Sequence, residues 1–170
     1  MKGIGSNKSG SHRVAVLAIV WMLSLGLVTA WAAPPADDEA DIRKLVDRIS
    51  DGWQKADSDA VARVFAEDGV LVAGEGSRRN GRAEIAHFMN QVFAGMPKGM
   101  RLTTQFKSLR FLRPDVAMLH TEGGFLMPGE TQLPPERLGI QSFIATKQAG
   151  AWHVALFQNT RIQTQDYESR

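Results

Sequence analysis

Residues 53–70 read WQKADSDAVARVFAEDGV, and the events in this stretch decide how the chain folds. Ala56-Asp57-Ser58-Asp59 breaks one helix and restarts another, because Asp and Ser side chains accept hydrogen bonds from the free N–H groups of a helix start. Val61, Val64 and Phe65 give the second, shorter helix an apolar side. Glu67-Asp68-Gly69 ends it, and Val70 to Ala73 reads as a short strand.

Upstream, Ile42, Leu45, Val46, Ile49 and Trp53 recur at helical spacing and predict a first helix of about four turns. Asp37 or Asp38 caps it, with Glu39 and Asp41 in its electropositive first turn. Residues 33–37 form a short flexible lead. Downstream, Gly74-Glu75-Gly76 turns the strand, and Ser77 to Asn80 is an exposed polar stretch. Gly81 leads into a third helix with Ile85, Phe88, Met89, Val92 and Phe93 on one face, stopped by Gly95 and Pro97.

From Arg101 the pattern changes to strands. Leu102 to Arg113 is one long strand with a bulge near Lys107-Ser108, and Val116 to Phe125 returns after the turn at Arg113-Pro114-Asp115. Residues 127–136 are a proline-rich loop. Arg137 to Lys147 and Ala151 to Ile162 are the last two strands, joined at Gln148-Ala149-Gly150, and residues 163–170 are a polar, frayed tail. Consecutive strands with short turns imply an antiparallel sheet. The expected class is α+β: three helices packed on one curved antiparallel sheet, closing a cone around an interior space over residues 38–162.

The amino-terminal segment reads as an address rather than as structure. Lys2, Lys8 and Arg13 precede an uncharged, mostly apolar run from Val14 to Val28. Ala30-Trp31-Ala32 then places small residues where a signal peptidase needs them. Residues 1–32 are thus expected to be a cleavable secretory signal peptide, and the protein periplasmic or secreted. The apolar run is short for a bilayer span, so no stable membrane span is expected after cleavage.

The formal charge of +2 belongs to that segment. Of 20 basic residues, three lie in residues 1–32, which hold no acid, leaving 17 against all 18 acids. The remaining domain has no positive excess to exchange for counterions, so nucleic acid is not an expected partner. The sequence has no cysteine, which excludes disulfides, thiolate nucleophiles and Cys-ligated zinc. Residues 33–170 are enough to bury about two-thirds of their unfolded surface.

Several stretches in this order resemble the nuclear transport factor 2-like superfamily, which includes SnoaL-like and ketosteroid-isomerase-like proteins. They are Trp53 with Ala56 to Asp59, Val64 to Val70, Gly81-Arg82, Arg113 to Ala117 and Gly150 to Val154. The closing Phe157-Gln158-Asn159-Thr160 is most similar to the SgcJ/EcaC group within it. The resemblance spans residues 40–162. It implies a pocket between the first helix, the third helix and the concave sheet face. It is weak for activity, since this fold hosts isomerases, cyclases, dehydratases, hydrolases and non-catalytic binding or assembly domains. No cofactor is expected: Gly3-Ile4-Gly5 lies in the signal peptide, and Gly74-Glu75-Gly76 turns a strand without opening a helix, whereas dinucleotide binding requires a glycine run that follows a strand and opens a helix.

Polar groups that reach an apolar interior need a structural partner or a ligand. His120 and Glu122 alternate with Val116 and Met118 on one strand face. An imidazole beside a carboxylate can move a proton from a carbon acid, which makes these the candidate catalytic pair. The other reading is a rim or dimer-face pair without chemistry. Simple alternation puts Gln158 on one face with Trp152, Val154 and Leu156, and Asn159 on the other with His153, Ala155 and Phe157. One amide points to the pocket and the other to a partner subunit; Gln158 is the choice for the pocket, with Gln141 equally ambiguous. Trp53, Phe65 and Phe88 are core residues first and pocket wall second. Arg78, Arg79 and Arg82 are either a solvated loop or an anion site at the third helix. No metal set is evident. The expected function is a pocket for a small hydrophobic molecule, with cofactor-free isomerase, cyclase or dehydratase chemistry, or else a non-catalytic homodimer that binds a ligand or protein.

Overall fold

A computed structural model describes residues 36–162. The signal-peptide assignment, residues 33–35 of the expected lead and the tail after Ile162 lie outside them; Ala36 and Asp37, expected in that lead, already belong to the first helix. In chain order the elements are α1 (Ala36–Gln54), α2 (Ser58–Arg63), β1 (Phe65–Val72), β2 (Arg78–Asn80), α3 (Gly81–Gly95), β3 (Arg101–Arg113), β4 (Val116–Leu126), a 3-10 turn (Pro135–Arg137), β5 (Gly139–Gln148) and β6 (Ala151–Arg161).

The break in the opening stretch works as its residues dictate. The Asp57 carboxylate accepts a hydrogen bond from the Ala60 N–H at 2.8 Å and caps α2. Helix α2 is shorter than its apolar pattern suggests, because Phe65 already pairs with Val154 and the Val154 N–H donates to the Val64 carbonyl. The strand therefore starts earlier than Val70. Glu67 and Asp68 are exposed in an irregularity between the Phe65 and Val70 pairings.

The sheet has six strands in the order β2-β1-β6-β5-β4-β3. β3 through β6 form the expected antiparallel meander. The sheet as a whole is mixed rather than antiparallel, since β1 lies parallel to β6. The first long strand meets the last only after the chain has passed through α3 and the meander, and short turns between neighbours carry no sign of so distant a pairing. The stretch Arg78–Asn80, expected as exposed loop, adds a short edge strand to β1. The helices interleave with β1 and β2 rather than all preceding the sheet.

One face of the sheet carries the core. Ile42, Leu45, Val46 and Ile49 of α1, Val61 of α2 and Ile85 and Met89 of α3 pack against it. Each residue is 8 % exposed or less, and side chains of this size stabilise by about 1.5–3 kcal/mol apiece on full burial. The packing is uneven. Ala117, Leu119, Ala145, Trp152 and Val154 are buried on one half of the inner face and do not border the cavity that the other half faces.

Asp38, read from the sequence as one of two candidate caps, ties α1 to the far strands. It is 5 % exposed. It accepts from the Lys147 ammonium at 2.6 Å and from the Trp152 indole N–H at 2.9 Å. Those two contacts, Lys147 first, hold its carboxyl below the ordinary aspartate range against the opposing effect of burial.

A bulge sets which residues of β6 face inward. Ile144 pairs with Leu156 and Ala145 with Val154, so Ala155 is an extra residue with no partner. Trp152 and Val154 are inner residues before the bulge; Phe157, Asn159 and Arg161 are inner residues after it. Simple alternation fails at this point. A second bulge falls at Lys107, where the sequence expects one.

Candidate functional site

The hollow half of the inner face opens into a cavity of about 370 Å³, within the range of small-molecule sites. Its wall is apolar. Trp53 packs edge-on against Phe93 at 5.1 Å and against Phe125 at 4.9 Å between ring centres, and Phe65, Phe88, Phe143 and Phe157 complete an aromatic lining. Trp53, Phe65 and Phe88 are therefore core and wall at once.

Three polar side chains cross the floor in one register row, Thr121 of β4, Gln141 of β5 and Asn159 of β6. Thr121 is fully buried; its hydroxyl donates to Gln141 Oε1 at 2.8 Å. Gln141 Nε2 donates to the Gly139 carbonyl at 3.3 Å and to Asn159 Oδ1 at 3.1 Å. Gly139 permits the row to close: a Cβ there would lie 2.8 Å from Asn159 Oδ1 and 3.4 Å from Gln141 Nε2. Gly123 and Gly124 let neighbouring backbone approach β4 beside the row, with Thr103 and Arg137 carbonyls where side chains would stand.

The exposed lining residues mark the mouth, between the β1–β2 turn at Gly74-Glu75 and the end of β6 at Arg161. Arg137 closes one side. It donates to the Phe125 carbonyl at 2.9 Å and pairs with Glu130, which also accepts from the Met127 N–H at 2.8 Å. These contacts, that with Arg137 foremost, hold the Glu130 carboxyl below its ordinary range. They pin the proline-rich loop against the ends of the strands.

The candidate catalytic pair does not reach this space. His120 and Glu122 alternate with the inner Leu119, Thr121 and Gly123 and so stand on the outer face. His120 Nδ1 lies 3.2 Å from Ser108 Oγ, and Glu122 pairs with Lys107 at 2.9 Å. The expectation placed the wrong parity of β4 inward: Ala117 and Leu119, not Val116 and Met118, are the buried residues. Gln158 is likewise corrected. It is exposed on the outer face opposite Ser142, because the Ala155 bulge shifts the alternation and turns Asn159 inward.

Gln141 and Asn159 do line the cavity; Thr121 and Arg161 do so without having been singled out. The basic cluster is dispersed: Arg82 donates to the Phe65 carbonyl at 2.8 Å and pairs with Glu67, and Arg79 lies over the Phe88 ring at 4.6 Å. Among the described residues no group of three or more His, Asp or Glu side chains is arranged to hold a metal ion, and no helix is long and apolar enough to cross a membrane.

The profile of the SnoaL-like domain matches residues 34–156. The chain belongs to the SnoaL-like family. Solved structures agree on the fold. A Nostoc punctiforme domain of unknown function with a cystatin-like fold is similar at 28 % identity, with a TM-score of 0.72 over 78 % of this chain and 82 % of that one. An NTF-2 like protein of unknown function from Shewanella oneidensis is 18 % identical, with a TM-score of 0.61 over 72 % and 98 % of the two chains. Another NTF2-like protein with a cystatin-like fold, from Novosphingobium aromaticivorans, is 16 % identical, with a TM-score of 0.62 over 76 % and 85 %. No curated protein matches the sequence. The nuclear transport factor 2-like assignment thus holds for this SnoaL-like domain, as an α+β fold with a mixed six-stranded sheet.

Proposed function

We propose that this SnoaL-like domain binds a small, mostly apolar molecule outside the cytoplasm and holds it without chemical turnover. The observation that carries the reading is an apolar-walled cavity of about 370 Å³ crossed by the Thr121–Gln141–Asn159 row. Apolar wall supplies affinity and a few fixed hydrogen-bonding groups supply orientation. Binding is favoured over acid–base catalysis because, among the described residues, the only ionisable side chains lining the cavity are Glu75, Arg137 and Arg161, all near the mouth. Among the described residues no carboxylate or imidazole faces the apolar interior, where a proton carrier would have to stand.

The Phe157-Gln158-Asn159-Thr160 run supports membership of the SgcJ/EcaC group. The charged, apolar and small-residue pattern of residues 1–32 supports export through a cleaved signal peptide. A second copy of the chain covers the outer sheet face in this reading. Val70, Val72, Met118, Ile144 and Leu156 stand there partly exposed, outside the core that the helices complete.

Native mass spectrometry of protein purified after expression of the full chain tests all three parts. The expected species is a dimer of chains beginning at Ala33 that carries a small-molecule adduct or takes up a medium-chain alkyl probe saturably. Failure of every apolar probe to bind at the cavity would overturn the pocket reading. Turnover of a bound compound would overturn the non-catalytic part.

A further inference from the structure

The hydrogen-bond row across the cavity floor has a direction. The Gly139 carbonyl can only accept, so the end of the Gln141 amide facing it must be the amino end. Gln141 Oε1 therefore faces Thr121, whose hydroxyl donates, and the amino group also meets Asn159 through Oδ1. Asn159 Nδ2 is thereby turned away from the row, toward the β1–β2 turn, where a Cβ on Gly74 would lie 3.0 Å from it. Its two N–H groups have no acceptor among the described residues.

Two residues further along β6, on the same inner face, stands Arg161. It has no carboxylate partner among the described residues. The other charges of the mouth are offset nearby. Arg137 pairs with Glu130. Glu75 accepts from the Ser77 hydroxyl and a backbone N–H, with Arg79 close enough to favour its ionised form. An amide that offers only N–H groups and a guanidinium that offers only N–H groups lie side by side at the open end of a greasy cavity.

We infer that the ligand is an amphipathic monocarboxylate, its carboxylate held by Asn159 Nδ2 and Arg161 and its apolar body lying against the aromatic wall. This deepens the pocket reading and rests on it. Donor-only groups select an acceptor-only partner, and the planar guanidinium fork matches a carboxylate. One cation without a carboxylate partner among the described residues balances one negative charge, which favours a carboxylate over a phosphomonoester of nearly twice that charge.

Isothermal titration of the purified protein with octanoate, 1-octanol and octylamine at low salt tests it. Octanoate is expected to bind about tenfold or more tighter than octanol, as a charge-assisted contact replaces a neutral one, and octylamine weakest. The octanoate affinity falls with added salt while that of octanol does not. Arg161→Gln removes most of the octanoate preference and leaves octanol within about twofold of its original affinity. Asn159→Asp keeps the oxygen that Gln141 needs but replaces the free amino group with a charged oxygen, and turns the preference toward octylamine. Equal binding of octanoate and octanol, or an unchanged preference in Arg161→Gln, overturns the carboxylate assignment while the pocket stands. Failure of all three probes to bind overturns both.

Discussion

Replacing Asp38 isolates the contact that fastens α1 to the end of the sheet. In Asp38→Ala both donors lose their acceptor. Lys147, with its side chain 32 % exposed, regains water. Trp152 is 3 % exposed, and its indole N–H stays buried with nothing to bond. An orphaned buried donor costs about 1–3 kcal/mol, and the lost charge-assisted contact with Lys147 adds about 1 kcal/mol. The sum, about 2–4 kcal/mol, is a large fraction of the stability of a domain this size. Asp38→Asn retains an oxygen for both donors and loses only the charge, so it should cost about 1 kcal/mol.

The pH dependence follows from the lowered carboxyl. Its stabilisation is complete above the ordinary aspartate range and is lost as pH falls through the folded-state value. Urea unfolding at pH 7 and pH 3 should therefore show the gap between parent and Asp38→Ala narrowing at the lower pH. A gap below about 1 kcal/mol at pH 7, or one that widens at pH 3, would refute the argument.

Further outcomes are expected. Gln141→Leu leaves the Thr121 hydroxyl without its acceptor and should destabilise by about 1–3 kcal/mol in the same unfolding assay, while weakening any ligand held through Asn159. Gly123→Ala would put a Cβ 1.9 Å from the Thr103 carbonyl oxygen, and the resulting separation of β3 from β4 should cost more than about 3 kcal/mol or abolish folding, read by circular dichroism. Glu130→Gln weakens the Arg137 pair, so amide exchange across residues 127–138 should accelerate with little change in the central strands. His120→Ala, on the outer face, should leave octanoate affinity within about twofold; a larger loss in titration would mean that His120 does communicate with the cavity.

The helices and the meander were legible because they rest on local signals: the Ile42–Leu45–Ile49 stripe, the Asp57 cap, the turn at Arg113-Pro114-Asp115. The parallel pairing of β1 with β6 was not, since the contact between Leu71 and Phe157 joins ends of the chain that share no turn. The site was half legible for a sharper reason. Period-two alternation ranks faces only while no residue is inserted, and Ala155 is inserted, so Gln158 and Asn159 exchanged roles. In β4 the large Val116 and Met118 lie on the outer face, whereas Ala117, Leu119 and the paired Gly123-Gly124 carry the signal of close approach. Arg161 falls within the last strand as the sequence reads, but its place in the mouth follows only once the bulge sets the register.

The uneven filling of the inner face separates cohesion from recognition. The side chains of Ile42, Leu45, Leu119 and Val154 are enclosed and border no cavity, so a change there must be absorbed by the surrounding interior. Those around the hollow already border empty space, and a larger or differently shaped residue can be accommodated without displacing the scaffold. Such a division lets ligand preference drift by substitution at positions such as Val92 or Leu138 while the rest of the domain keeps its shape.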